Sequence, residues 1–192
     1  MSHIANPFVV VLDANALYPF RTRDVLLTFA QLGLFRARIT STIVDEWTSN
    51  LIANKPQLEA SVRQQVEAIA DAFEECFVLG FEPLIEGLEL PDEDDRHVLA
   101  AAIKCSAQVI VTENLCDFPS EVLDQYGVEA LSADDMLAST YDLYPIECAK
   151  ALRIVRQRYS SPSFTPSEFL LDLTKCGMPK LAAMARASIE YL

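Results

Sequence analysis

The stretch Val9-Val10-Val11-Leu12-Asp13-Ala14-Asn15 decides the fold. A short, continuous apolar run rich in β-branched residues fits a strand buried on both faces, as in a parallel sheet. Ligands of open α/β sheets bind outside the carboxyl ends of the strands. Asp13, the first charge after the run, therefore points at the expected site. A second apolar run, Val109-Ile110-Val111-Thr112, is also followed closely by acid.

Between and beyond these runs the spacing is helical. Val25, Leu26, Phe29 and Leu32 predict a helix over 24–34, with Gly33 as its stop signal. Ile43, Val44, Trp47, Leu51 and Ile52 predict another over 41–53, capped from Thr40, Ser41 or Thr42. A longer helix is expected over 58–77, and an alanine-rich one over 95–105 that can pack closely on a sheet. Strands are expected at 108–112 and 128–131, with a short helix near 120–125. Helices interleaved with short apolar strands mean an α/β layer fold with a parallel sheet. From Ala133 onward only helical patterns remain, so the chain divides into an α/β domain over 1–141 and a C-terminal helical extension over 142–192.

Composition narrows the function. Of 192 residues, 51% are apolar and only 5 are Gly, which supports a folded core rather than disorder. No apolar run approaches the roughly 18 residues needed to span a bilayer. The N-terminus lacks a basic leader, so a cytoplasmic protein is expected. Five cysteines, odd in number and without a CxxC pair, argue against zinc or a disulfide framework; Cys76, Cys105 and Cys148 read as buried small hydrophobes. Fifteen basic against 28 acidic residues give −13, which disfavours non-specific binding to nucleic-acid backbones. It still allows a local basic rim, for which Arg21, Arg23, Arg36, Arg38, Arg153, Arg156 and Arg158 are available, and it suits a basic protein partner.

The acids carry the chemistry. Glu46 lies beside the apolar stripe of its helix, three residues after Ile43. In Pro91-Asp92-Glu93-Asp94-Asp95 there are more acids than a helix start needs. Asp95 stands out because Val98, Leu99 and Ala102 follow it at the spacing of one helix face, whereas Asp92 or Asp94 serves as a cap. His97 reads as a surface or hydrogen-bonding residue rather than a ligand. After the second strand come Asn114 and Asp117, either of which could shape the loop as a turn or cap. Carboxylates converging at one sheet edge repel unless protons or a cation neutralise them. A hard divalent cation is the economical answer. With only His3 and His97 available, a Ser–His–Asp scheme has no support, and no Gly-rich phosphate loop is present.

Taken in order, Val9-Val10-Val11-Leu12-Asp13-Ala14-Asn15, Glu46, Asp94-Asp95-Arg96-His97-Val98-Leu99-Ala100-Ala101-Ala102 and Val111-Thr112-Glu113-Asn114-Leu115-Cys116-Asp117-Phe118-Pro119 resemble the PIN domain family over about residues 6–135. Within it the chain is most similar to the VapC-type toxins of bacterial toxin–antitoxin pairs. The resemblance implies a three-layer α/β/α fold and an Mg²⁺- or Mn²⁺-dependent endoribonuclease acting on RNA. It also implies a homodimer restrained by a cognate antitoxin, here expected to be basic. Carried over by position, it makes Asp13, Glu46, Asp95 and Asp117 the metal-binding, catalytic acids, with Asn15, Asp94 and Asn114 as secondary candidates. Many members carry an acid two residues after the strand-ending Thr, where this chain has Asn114; Asp117 replaces it, or Asn114 positions water. Two rival readings are a PIN-like RNA- or protein-binding module without cleavage, and a small metal-dependent phosphatase. The phosphatase is disfavoured because the haloacid dehalogenase type needs a second Asp at the position of Asn15.

Overall fold

The computed structural model describes residues 7–73, 75–161 and 163–192. In chain order the elements are β1 (Val9–Leu12), α1 (Ala14–Leu17), α2 (Phe20–Gln31), β2 (Arg36–Arg38), α3 (Ser41–Asn54) and α4 (Glu59–Ala72). These are followed by α5 (Glu82–Ile85), α6 (Arg96–Cys105), β3 (Val109–Val111), α7 (Ser120–Leu123) and β4 (Glu129–Leu131). The last four helices are α8 (Ala133–Leu143), α9 (Pro145–Arg158), α10 (Pro166–Lys175) and α11 (Pro179–Ala185). No helix of the described residues is long and apolar enough to cross a membrane.

The strands form one parallel sheet in the order β2-β1-β3-β4, with Val11 opposite both Arg38 and Ile110. Val10 and Val11 point to opposite faces, and both are fully buried. Helices therefore cover the sheet on both sides, the α/β/α arrangement expected. The chain leaves β1 toward β2 on one side and β3 toward β4 on the other. The crevice at the carboxyl ends of β1 and β3 is thus the topological switch point, where α/β sheets bind ligands.

By contacts the chain forms two compact units. One comprises 8–18 and 36–131 and holds the sheet, α1 and α3 to α7. In it, α6 packs on β1 and β3, and its Ala100, Ala101 and Ala102 are fully buried. The other comprises 19–35 and 132–192 and is helical, with a core of Leu152, Val155, Phe169, Leu173, Leu181 and Ala185.

Several expectations are corrected by pairing that local pattern does not reveal. The helix expected over 58–77 stops at Ala72, with Phe73 as its cap; Glu74 lies outside the described residues. Beyond it, the Cys76 carbonyl accepts from the Ile39 N–H and the Val78 N–H donates back to the Ile39 carbonyl, so this segment is extended. The edge strand β2 was not anticipated because Arg36-Ala37-Arg38 offers one small apolar residue between two charges. The helix expected from 24 starts at Phe20, and Gly33 closes it in the left-handed conformation (φ +76°). All five cysteines are free. Burial pushes the Cys76 and Cys148 thiols up to about 11 and about 12, which removes them as nucleophiles.

Candidate active site

The site is built from the loops at the carboxyl ends of β1 and β3 and from two helices, α3 and α6. The Asp13 N–H donates to the Val111 carbonyl (3.0 Å) and that of Thr112 to Leu131 (2.9 Å), so both residues continue their strands by one step. Asp13 is only 2% exposed and both of its carboxylate oxygens accept hydrogen bonds. Oδ1 accepts from the Ala14 N–H at 2.6 Å, and Oδ2 accepts from Thr112 Oγ1 at 2.8 Å and Asn15 Nδ2 at 2.7 Å. Asn15 Oδ1 in turn accepts the Glu113 N–H at 2.8 Å. Asn15 is therefore a clasp between the two loops. Thr112 is a site residue that sequence reasoning had used only to mark a strand end.

Glu46 projects from α3 and lies 3.0 Å from His97 Nε2. His97 is buried, so of its two readings the structure supports the polar-partner one, through Glu46, and not the surface one; among the described residues its Nδ1 has no partner. The signal that could have found it is its position two residues after Asp95 in the first turn of a buried helix. Asp95 precedes α6 and makes no capping bond. The capping expected of Asp92 or Asp94 is corrected: Asp95 occupies the N-cap position, while Asp92 Oδ1 accepts the Asp94 N–H at 2.9 Å in a turn ahead of the helix, and Asp94 is exposed.

A cavity of about 540 Å³ is lined by Asp13, Asn15, Glu46, Asp95 and Asn114, together with Tyr18, Trp47, Asn50 and Asn54. Asp117 does not line it, but its charge reaches Asp95. Burial, then the charges of Asp13, Asp92 and Asp117, push the Asp95 carboxyl up to about 6, with His97 opposing. Asp13 is raised mainly by burial, against the hydrogen bonds from Thr112 and Ala14.

Among the described residues no three carboxylate, imidazole or thiol groups form a ready-made metal cage. An all-oxygen set of one or two carboxylates still suits Mg²⁺, which keeps several waters instead of demanding a protein cage. The donor chemistry and the mutual repulsion felt at Asp95 thus fit a hard divalent cation.

The expectation of a free arginine rim is largely corrected. Arg21 Nε lies 2.6 Å from Asp172 Oδ2, though not aligned as a hydrogen bond, and its guanidinium stacks 3.7 Å over Tyr159. Arg158 pairs with Asp24 at 2.7 Å, Arg156 donates to the Leu192 and Phe164 carbonyls, and Arg23 is buried. These four hold the helical unit together. Arg36 and Arg153 are exposed.

Residues 9–115 match the sequence profile of the PIN domain, and residues 133–187 match that of the VapC50 C-terminal domain. The chain is 42% identical over 112 residues to the protein named "Putative ribonuclease VapC50" of Mycobacterium tuberculosis. The match covers 58% of this chain and 64% of that relative, less than two thirds of its length. No solved structure matches. The profile match extends over more than half of the chain and takes in three of the four strands with Asp13, Glu46 and Asp95, so the chain belongs to the PIN domain family.

Proposed function

We propose that the chain is an Mg²⁺- or Mn²⁺-dependent endoribonuclease and the toxin of a toxin–antitoxin pair. The observation that carries the reading is the convergence of Asp13, Glu46 and Asp95 on one cavity at the sheet's switch point, with Asp117 near enough to raise Asp95. The relative's name and the match to the VapC50 C-terminal domain support it.

Asp13, Glu46 and Asp95 would hold the ion, with Asp117 or Asn114 completing the set. When bound, a divalent ion supplies an activated water and charge stabilisation at the phosphate. The chain's own residues do the positioning. Thr112, Asn15 and the Ala14 N–H fix Asp13 in one orientation, so its carboxylate need not reorganise during reaction. His97 holds Glu46. With no positive charge added, Asp95 keeps its proton up to about pH 6. The products are a 5′-phosphate and a 3′-hydroxyl. The proposed protein works in the cytoplasm as a homodimer, under a basic antitoxin that places an Arg or Lys among these acids.

The phosphatase reading lacks the second Asp it needs, because Asn15 stands at that position and donates to Asp13 Oδ2. The test is RNA cleavage by the purified chain. Activity with Mg²⁺ or Mn²⁺ that vanishes in EDTA supports the proposal; undiminished cutting in excess EDTA defeats its metal dependence. No cutting under any metal favours the non-cleaving binding module.

A further inference from the structure

The cavity has a second wall that the proposed cleavage chemistry leaves unused. Helix α3 presents Glu46, Asn50 and Asn54 at i, i+4 and i+8, which places them on one face. Asn50 and Asn54 therefore lie roughly 6 and 12 Å along the helix axis from Glu46. Glu46 shares its end of the cavity with Asp13 and Asp95, while Asn50, Asn54 and Tyr18 are neutral.

We infer that Asn50, Asn54 and Tyr18 form a base-recognition subsite for one RNA nucleotide, an inference that rests on the ribonuclease reading. Asn54 is held in place: its Nδ2 donates to the Tyr18 hydroxyl at 3.1 Å and to the Asn50 carbonyl at 3.0 Å. Its Oδ1 is left to accept from a ligand. The Asn50 side-chain amide makes no hydrogen bond among the described residues, although it lines the cavity. A primary amide offers a donor and an acceptor side by side, the pairing that reads a base edge. Arginine or lysine at these places would serve phosphates, which carry no sequence information. With the phosphate at the acidic end, the base of the same or the adjoining nucleotide meets the amides. The volume suits such a small ligand.

The single tryptophan, Trp47, belongs to the same lining and reports occupancy by its fluorescence. The probes are the four nucleoside 5′-monophosphates, titrated into the full chain with Mg²⁺ present. Affinities of the wild type should differ among bases by about fivefold, the worth of one net hydrogen bond. In Asn50→Ala and Asn54→Ala, both exposed helix positions that tolerate alanine, this preference should collapse toward unity. Equal response to all four bases in the wild type, including none at all, overturns the subsite. So does a preference that survives in both variants, whether or not RNA is cut. RNA cleavage measured in parallel separates the two claims. Uncut RNA with base-selective binding lost in Asn50→Ala fails the ribonuclease reading and upholds the subsite for a bound strand.

Discussion

Asp13 is a buried carboxylate whose cost is met by three hydrogen bonds from groups that themselves leave strand ends. Removing a donor leaves a buried charge short of a partner, so Thr112→Val and Asn15→Ala should each destabilise the fold by about 1–3 kcal/mol, read by urea denaturation. Both should also lower RNA cleavage. Asp13→Asn and Asp95→Asn are expected to abolish cleavage with the fold intact by circular dichroism; full activity in both variants would remove the acids from the chemistry. Asp95 makes a separate prediction about stability. Its folded pKa of about 6 lies above the ordinary 3.8, so the folded state binds more protons between these values. Stability therefore falls as pH rises from about 4 to about 6 and stays lower above. Because Asp95 is half-buried, the loss at neutral pH is about 1 kcal/mol after discounting for solvent, and Asp95→Asn should recover it. A variant no more stable than wild type at pH 7 would contradict this.

At the scale of elements, local signals were legible wherever one residue closes its own helix. The Thr40 hydroxyl accepts from the Ile43 N–H at 3.1 Å, as the start of α3 predicts, and Gly33 ends α2. Other elements depend on partners far along the chain. The N-terminus of α11 has no cap of its own; Asp134 of α8 accepts the N–H groups of Lys180 and Leu181, each at 2.9 Å. Asp134→Ala should thus cost about 2 kcal/mol, at the upper end for a helix cap because the carboxylate is buried and doubly bonded. Equilibrium denaturation measures it, and a change within a few tenths would show that water replaces the cap. Strand β2 is the same kind of case. Its three residues owe their extended form to β1, not to their own side chains.

For the whole molecule, the net charge of −13 acts through the field it creates. Such a field steers a basic partner and is screened by salt. The association rate of the proposed basic antitoxin should fall by about tenfold between low and physiological ionic strength. Changing the partner's inserted Arg or Lys to Ala should weaken inhibition even where apolar contacts keep the complex together. Stopped-flow association and RNA cleavage assays read the two effects. A rate insensitive to salt, or a native operon that yields no inhibitory partner, would leave a stand-alone nuclease as the better description.

The order of most elements, the buried parallel strands and the three acids that line the cavity, Asp13, Glu46 and Asp95, were legible in the sequence, because hydrophobic periodicity, caps and strand-ending charges act within a few residues, whereas Asp117 lies outside that lining. The grouping of those acids was decided by tertiary structure. Asp13 and Thr112 meet across 99 positions of chain, and Glu46 finds His97 on another helix. Whether a charge is free or consumed is also non-local: Arg21, Arg23, Arg156 and Arg158 look available in sequence and are taken up by packing and pairing within the helical unit. Local pattern specifies which face of an element is apolar. Only the folded chain sets the distances over which charges and hydrogen bonds act.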